Sequence, residues 1–155
     1  MTFDPGHGEH LRELQHKLHR AHTITPGLMA DVIARACPRL QAQQRAARTT
    51  VIRLIESGAF TDAALALLDL ELPQWKVRRL IREGDEWHCS LSKQLGLPAE
   101  LDEMAEAKHE SLPLAILSAF VEARHCSFTA GEARPNSVPQ IRPAQGYAIC
   151  CDNFA

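Results

Sequence analysis

Apolar residues along the first third of the chain recur at helical spacing. Leu11, Leu14 and Leu18, with Ala21 at the edge, fall on one face of a helix expected over about Gly8 to Ala21. At about 100° per residue, His16 and His19 turn away from that face into solvent. Thr25 followed by Pro26 reads as an N-cap with proline at the first helical position. It opens a segment through Met29, Val32, Ile33 and Ala36. Pro38 interrupts that segment, because a mid-helix proline removes a hydrogen bond and crowds the preceding turn. A longer helix is expected from Arg39 to Ser57, with Leu40, Ala47, Val51, Leu54 and Ile55 on one face and Gly58 ending it. Thr61 and Asp62 are candidate caps for the next helix. Its Ala63, Ala64, Leu65, Leu67, Leu68 and Leu70 leave little polar surface, so it belongs in the core, and Pro73 closes it.

Trp75 to Leu91 admits two readings. As a helix it opens at Pro73 and closes at Gly84; as a β-hairpin, 75–82 pairs with 87–91 across Gly84-Asp85. The alternation favours the hairpin. A bulged three-residue loop over 84–86 puts Trp75, Val77 and Ile81 on one face with Trp87, Cys89 and Leu91, and a two-residue loop splits the tryptophans. In that register Lys76, Arg78, Arg82, His88 and Ser90 face outward. Arg79 points inward, where it requires a carboxylate, carbonyls or an indole face. Two strands alone are marginal in water, so the hairpin must lie on helices. A short acidic helix over about Ala99 to Ala107 is expected to bury Leu101 and Met104. Ser111 then caps a final helix through Leu114, Leu117, Phe120 and Val121.

Beyond Arg124 the periodicity stops and Gly131, Pro135, Pro139, Pro143 and Gly146 accumulate. The expected fold is thus mostly α (α+β): a compact bundle of five to six helices with one β-hairpin at about 75–91 packed on it. It forms a single domain over 1–124, followed by a loose, disordered tail over 125–155.

Trp75, Arg78 with Arg79, Gly84-Asp85-Glu86-Trp87-His88-Cys89 and Leu97-Pro98 occur in an order that resembles a group of small bacterial proteins to which no activity is attached. The resemblance covers about 50 of the 155 residues. It departs from the group's pattern in placing Asp85 between the glycine and Glu86. It implies the hairpin and no mechanism.

Composition narrows the class. With 155 residues, 45% hydrophobic and 5% aromatic, the chain makes one ordinary domain whose core is aliphatic. The formal charge is −2 with every His neutral, and protonating all eight adds as many positive charges. No apolar stretch is long enough to cross a membrane, no secretory leader is visible, and five cysteines show no framework spacing. The expected location is therefore the cytosol.

The near-zero net charge conceals a segregation. Between Val32 and Ile55 stand Arg35, Arg39, Arg45, Arg48 and Arg53 without an acid, and Lys76, Arg78, Arg79 and Arg82 follow. From Glu83 to Glu110 the balance reverses, with eight acids against Lys93 and Lys108. Such a chain is expected to act by binding, through a charge-segregated surface, on a protein partner. The alternatives are a nucleic-acid-binding regulator, and internal pairing of the two segments. Candidate binding residues are Arg45 and Arg48 on the long helix and Trp75, Arg78, Arg79, Arg82, Trp87 and His88 on the hairpin. The favoured spot is where Arg79, Trp75, Trp87 and His88 meet.

Catalytic signatures are missing. The sequence has no phosphate loop, no dinucleotide fingerprint and no nucleophile elbow, so no cofactor and no catalytic residue is assigned. A metal- or thiol-dependent enzyme or sensor is a further alternative: His16 and His19 are three apart on a helix, and Cys89 with His109 could form a nucleophile and base. The vicinal Cys150 and Cys151 are read as incidental.

Overall fold

The computed structural model describes residues 6–42 and 45–132. The helices are α1 (Gly6–Arg20), α2 (Pro26–Ala36), α3 (Pro38–Ala42), α4 (Arg45–Glu56), α5 (Phe60–Glu71) and α6 (Leu112–Glu132). An antiparallel meander of β1 (Lys76–Glu83), β2 (Glu86–Ser92) and β3 (Met104–His109) lies between α5 and α6 in sequence. The fold is α+β, as the pattern implies, with a three-stranded sheet in place of one hairpin.

Helix termini follow local chemistry. Thr25 is extended and its Oγ1 accepts from the Leu28 N–H at 3.2 Å, so α2 starts where Thr-Pro placed it. α4 ends on Gly58 at φ +77, where the Ala59 and Gly58 N–H groups donate to the carbonyls of Leu54 and Ile55. The chain passes from that turn directly into α5 at Phe60. Ala59 therefore occupies the cap position and no side chain caps the helix, contrary to the Thr61 or Asp62 expected there. The single helix expected over 39–57 is instead α3 and α4, with residues 43–44 between them outside the description. The start of α3 is fixed from a distance: the carboxylate of Glu71, at the end of α5 and 1% exposed, accepts from the N–H groups of Arg39 (3.2 Å) and Leu40 (2.7 Å). Pro38, with no N–H to satisfy, suits the first position of that helix.

α6 is the centre of the molecule. Leu114 to Val121 are buried all round, and the helix touches β2 and β3 as well as α1 and α5. Leu11, Leu14 and Leu18 of α1 and Ala63, Ala64, Leu67 and Leu68 of α5 complete the core. The helix continues to Glu132, past the Arg124 at which the apolar pattern ends. The loose tail expected over 125–155 is therefore helical over 125–132, and its remainder, 133–155, lies outside the described residues. Among those described, no helix is long and apolar enough to cross a membrane.

The sheet corrects two expectations. The segment 99–107 is not a helix: Met104 to His109 pair with β2 from Ser92 to Trp87, and Leu101, expected in the core, is 73% exposed. Ala105 and His109 are buried while Glu106 and Lys108 are exposed, a period-two alternation in residues that intrinsically favour helix. Pairing with β2 and cover from α6 override the local preference. In the hairpin the loop has two residues, Gly84 at φ +62 and Asp85, closed by Glu83 opposite Glu86. The bulge sits within β1, between Val77 and Arg79. The extra residue, Arg78, restores Val77 to the face of Leu91 while Leu80 lies opposite Cys89. Ile81 is displaced to the other face, opposite His88.

Candidate functional site

Moving the bulge reverses the roles of two arginines. Arg79, expected inside, is exposed and lies 3.8 Å from Glu83 on the same strand. Arg78, expected outside, turns into the loop between β2 and β3. Its guanidinium donates to Asp102 Oδ2 at 2.9 Å and to the Leu97 carbonyl at 2.8 Å. The Asp102 side chain is 2% exposed and also accepts from the Ser92 hydroxyl. These are the partners the inward arginine was expected to require, found by its neighbour. Lys76 pairs with Asp69 at 3.1 Å. The outward cationic row of the hairpin is therefore largely neutralised, and the basic and acidic segments meet here. Only Arg82, exposed opposite Trp87, lacks an ion pair among the described residues.

Nor do the hairpin candidates converge. Trp75 is buried beside the Ser92 end of the hairpin, its Nε1 donating to Ser127 Oγ at 3.1 Å and its ring lying under Lys93. Trp87 is half-buried near the turn. His88, the next residue of the strand, faces the opposite side and approaches Glu83 at 3.6 Å. Arg79, Trp75, Trp87 and His88 therefore form no common site.

The arginines of α4 behave differently. Arg45, Arg48 and Arg53 are exposed and make no ion pair among the described residues, whereas Arg35 of α2 reaches Glu13 at 3.0 Å. Arg45, Arg48, Ile52 and Ile55 follow one another at spacings of three, four and three, a single stripe of α4 beside its buried Val51 face. That stripe borders a groove of about 490 Å³ between α2 and α4. Ala30, Ile33 and Ala34 form its α2 wall, and Ile52 and Ile55 its α4 wall, with Arg48 and Glu56 on the rim. Gln41 ties α3 to this wall by donating to the carbonyls of Ile33 (2.8 Å) and Ala34 (3.0 Å), which satisfies the end of α2. Ile52 is 41% exposed, one of few large apolar side chains so placed. Sequence reading singled out Arg45 and Arg48 but missed Ile52. The available signal was an isoleucine outside the core stripe of an arginine-rich helix.

The metal and thiol candidates find little support. His16 and His19 are exposed on α1, and no group of three His, Cys, Asp or Glu residues gathers as a ligand set among the described residues. Cys37 and Cys89 are buried, and burial pushes both thiols up, Cys89 to about 11; this disfavours the thiolate that nucleophilic catalysis needs. His109 Nδ1 accepts from the Ser111 N–H at 3.0 Å, so that nitrogen is engaged within its own turn. Cys150 and Cys151 lie outside the described residues. No family model, curated protein or solved structure matches this chain.

Proposed function

We propose that this chain is a non-catalytic binding protein of the cytosol that receives an acidic amphipathic helix of a partner protein in the α2–α4 groove. The observation that carries the reading is the juxtaposition of an open apolar trough containing exposed Ile52 with Arg48 on its rim and Arg45 one turn earlier on the same stripe, neither arginine making an ion pair among the described residues. Alanines at 30 and 34 keep the α2 wall low, so a helix can approach closely and lay apolar side chains at i, i+3/i+4 and i+7 against Ile33, Ile52 and Ile55. Burial of that surface supplies affinity. The arginines steer and orient an acidic flank, where rim charges act mainly on association rate and specificity.

A nucleic acid is a poorer fit. Three of the four hairpin cations that were to extend the basic surface, Arg78, Arg79 and Lys76, are spent on Asp102, Glu83 and Asp69, which leaves Arg82 alone there among the described residues, and no aromatic among them lines the groove to stack on bases.

The test is a photo-crosslinking amino acid at position 52, with the attached segments mapped by mass spectrometry. Acidic segments with helical apolar spacing are expected, and they should disappear when Arg45 and Arg48 are both changed to Glu. Crosslinks to nucleic acid, or to segments lacking acids, would refute the reading.

A further inference from the structure

A second cleft, of about 210 Å³, opens where α3 begins, α5 ends and α6 passes behind them. Arg39, Glu71, Trp75, Arg124 and Ser127 line it. We propose that it binds a small oxyanion, a phosphate or carboxylate group, between the guanidinium groups of Arg39 and Arg124. The cleft shares no charged residue with the α2–α4 groove, so the two proposals stand or fall separately.

Glu71, the only acid among the described residues that line the cleft, is fully buried, and each of its oxygens accepts from a backbone N–H at the start of α3. It is committed to capping and makes no ion pair with either arginine. Arg124 is half-buried on α6, near enough to the Cys37 and Glu71 cluster for its charge to oppose the upward push on the Cys37 thiol. Neither Arg124 nor Arg39 has a side-chain hydrogen bond or ion pair among the described residues. A guanidinium drawn partly out of water without a partner is costly, and it is a preformed fork for a two-oxygen acceptor. Ser127 adds a donor. Its oxygen accepts from Trp75 Nε1 at 3.1 Å, which leaves the hydroxyl hydrogen available to the cleft.

Charge and size define the ligand class. Two arginines against one glutamate leave a net positive wall, so an anion is favoured. The volume lies below the roughly 300–1,000 Å³ of pockets for drug-sized molecules, which suits a single phosphate or a short carboxylate. The cleft wall is also held by the core: Trp75 is buried, and Glu71 joins α3 to α5. The arginines thus stand on rigid elements.

The experiment uses the full chain carrying Trp87→Phe, so that the emission reports Trp75 alone. Inorganic phosphate and succinate are titrated separately, with sodium chloride at matched ionic strength as reference. A saturable change with phosphate, succinate or both is expected, and the more effective anion identifies which source of the oxyanion the cleft takes. Arg124→Gln and Arg39→Gln should each weaken that binding by about tenfold or more, as loss of a charge-assisted fork implies. Arg12→Gln, on the exposed face of α1, should leave it unchanged. Arg39 is exposed, so its variant tests the cleft even if the Arg124 variant fails to fold. Absence of saturable binding by either anion would overturn the proposal, as would equal losses in the Arg12 and Arg39 variants.

Discussion

Replacing Arg78 by Ala is the sharpest test of how the sheet is built. The change leaves Asp102, whose side chain is 2% exposed, with the Ser92 hydroxyl as its remaining partner and no opposite charge. It also strips the Leu97 carbonyl of its donor. Breaking a buried ion pair from one side costs about 3–5 kcal/mol. Arg78 keeps 22% of its side chain in solvent and Ser92 still donates, so the lower end, about 3 kcal/mol, applies here. For a chain of this size that corresponds to a melting temperature lower by about 10 °C. Urea unfolding of four proteins closes the cycle: wild type, Arg78→Met, Asp102→Leu and the double variant. Each single change should be costly, and the double change should cost less than their sum by about 2 kcal/mol, because neither charge is then left alone. Arg79→Ala, by contrast, should lie within about 0.5 kcal/mol of wild type, since its contact with Glu83 is between exposed groups. Additive costs in the cycle, or a larger loss for Arg79→Ala than for Arg78→Ala, would refute both the pairing and the position of the bulge.

Two further outcomes follow from buried groups. Glu71→Ala orphans the N–H groups of Arg39 and Leu40 and should cost about 3 kcal/mol in urea unfolding, with Glu71→Gln milder because its amide oxygen still accepts. An effect below about 1 kcal/mol would mean that α3 is not held from α5. Stability should also fall with alkali. Burial raises the folded thiol of Cys89 to about 11 and moves Cys37 upward too, so the unfolded chain ionises first. Their contribution is whole below the unfolded value near 8.5 and is lost as pH rises toward the folded values, at up to about 1.4 kcal/mol per pH unit for each thiol. Unfolding measured at pH 8, 9 and 10 should show a shallower decline in Cys89→Ala, and identical slopes would contradict the burial.

The legible elements are those whose cause is local. The leucines of α1, the Thr25-Pro26 start of α2, the Gly58 stop of α4 and the alanine-leucine face of α5 each declare themselves within one or two turns. Strand β3 did not, because Met104 to His109 are mostly good helix formers and only pairing with β2 makes them a strand. The candidate site was legible in part. Arg45 and Arg48 stood out as charges without acids nearby in sequence. The apolar wall facing Arg48 and Ile52 across the groove comes from α2, and no spacing along the chain could have announced it.

By itself the sequence determined the class of the fold, most of the helices, the presence of a hairpin at Gly84-Asp85, and the segregation of charge. The tertiary structure decided where the bulge fell, and with it which arginine is buried. Alternation specifies that one face goes in, whereas an inserted residue exchanges the faces on either side of it. It also decided which cations remain free. Pairing depends on distances across the fold: Asp102 reaches back to Arg78 while nothing among the described residues reaches Arg45 or Arg48. The surface left available for binding is therefore a remainder, set by which charges the folded chain has already neutralised.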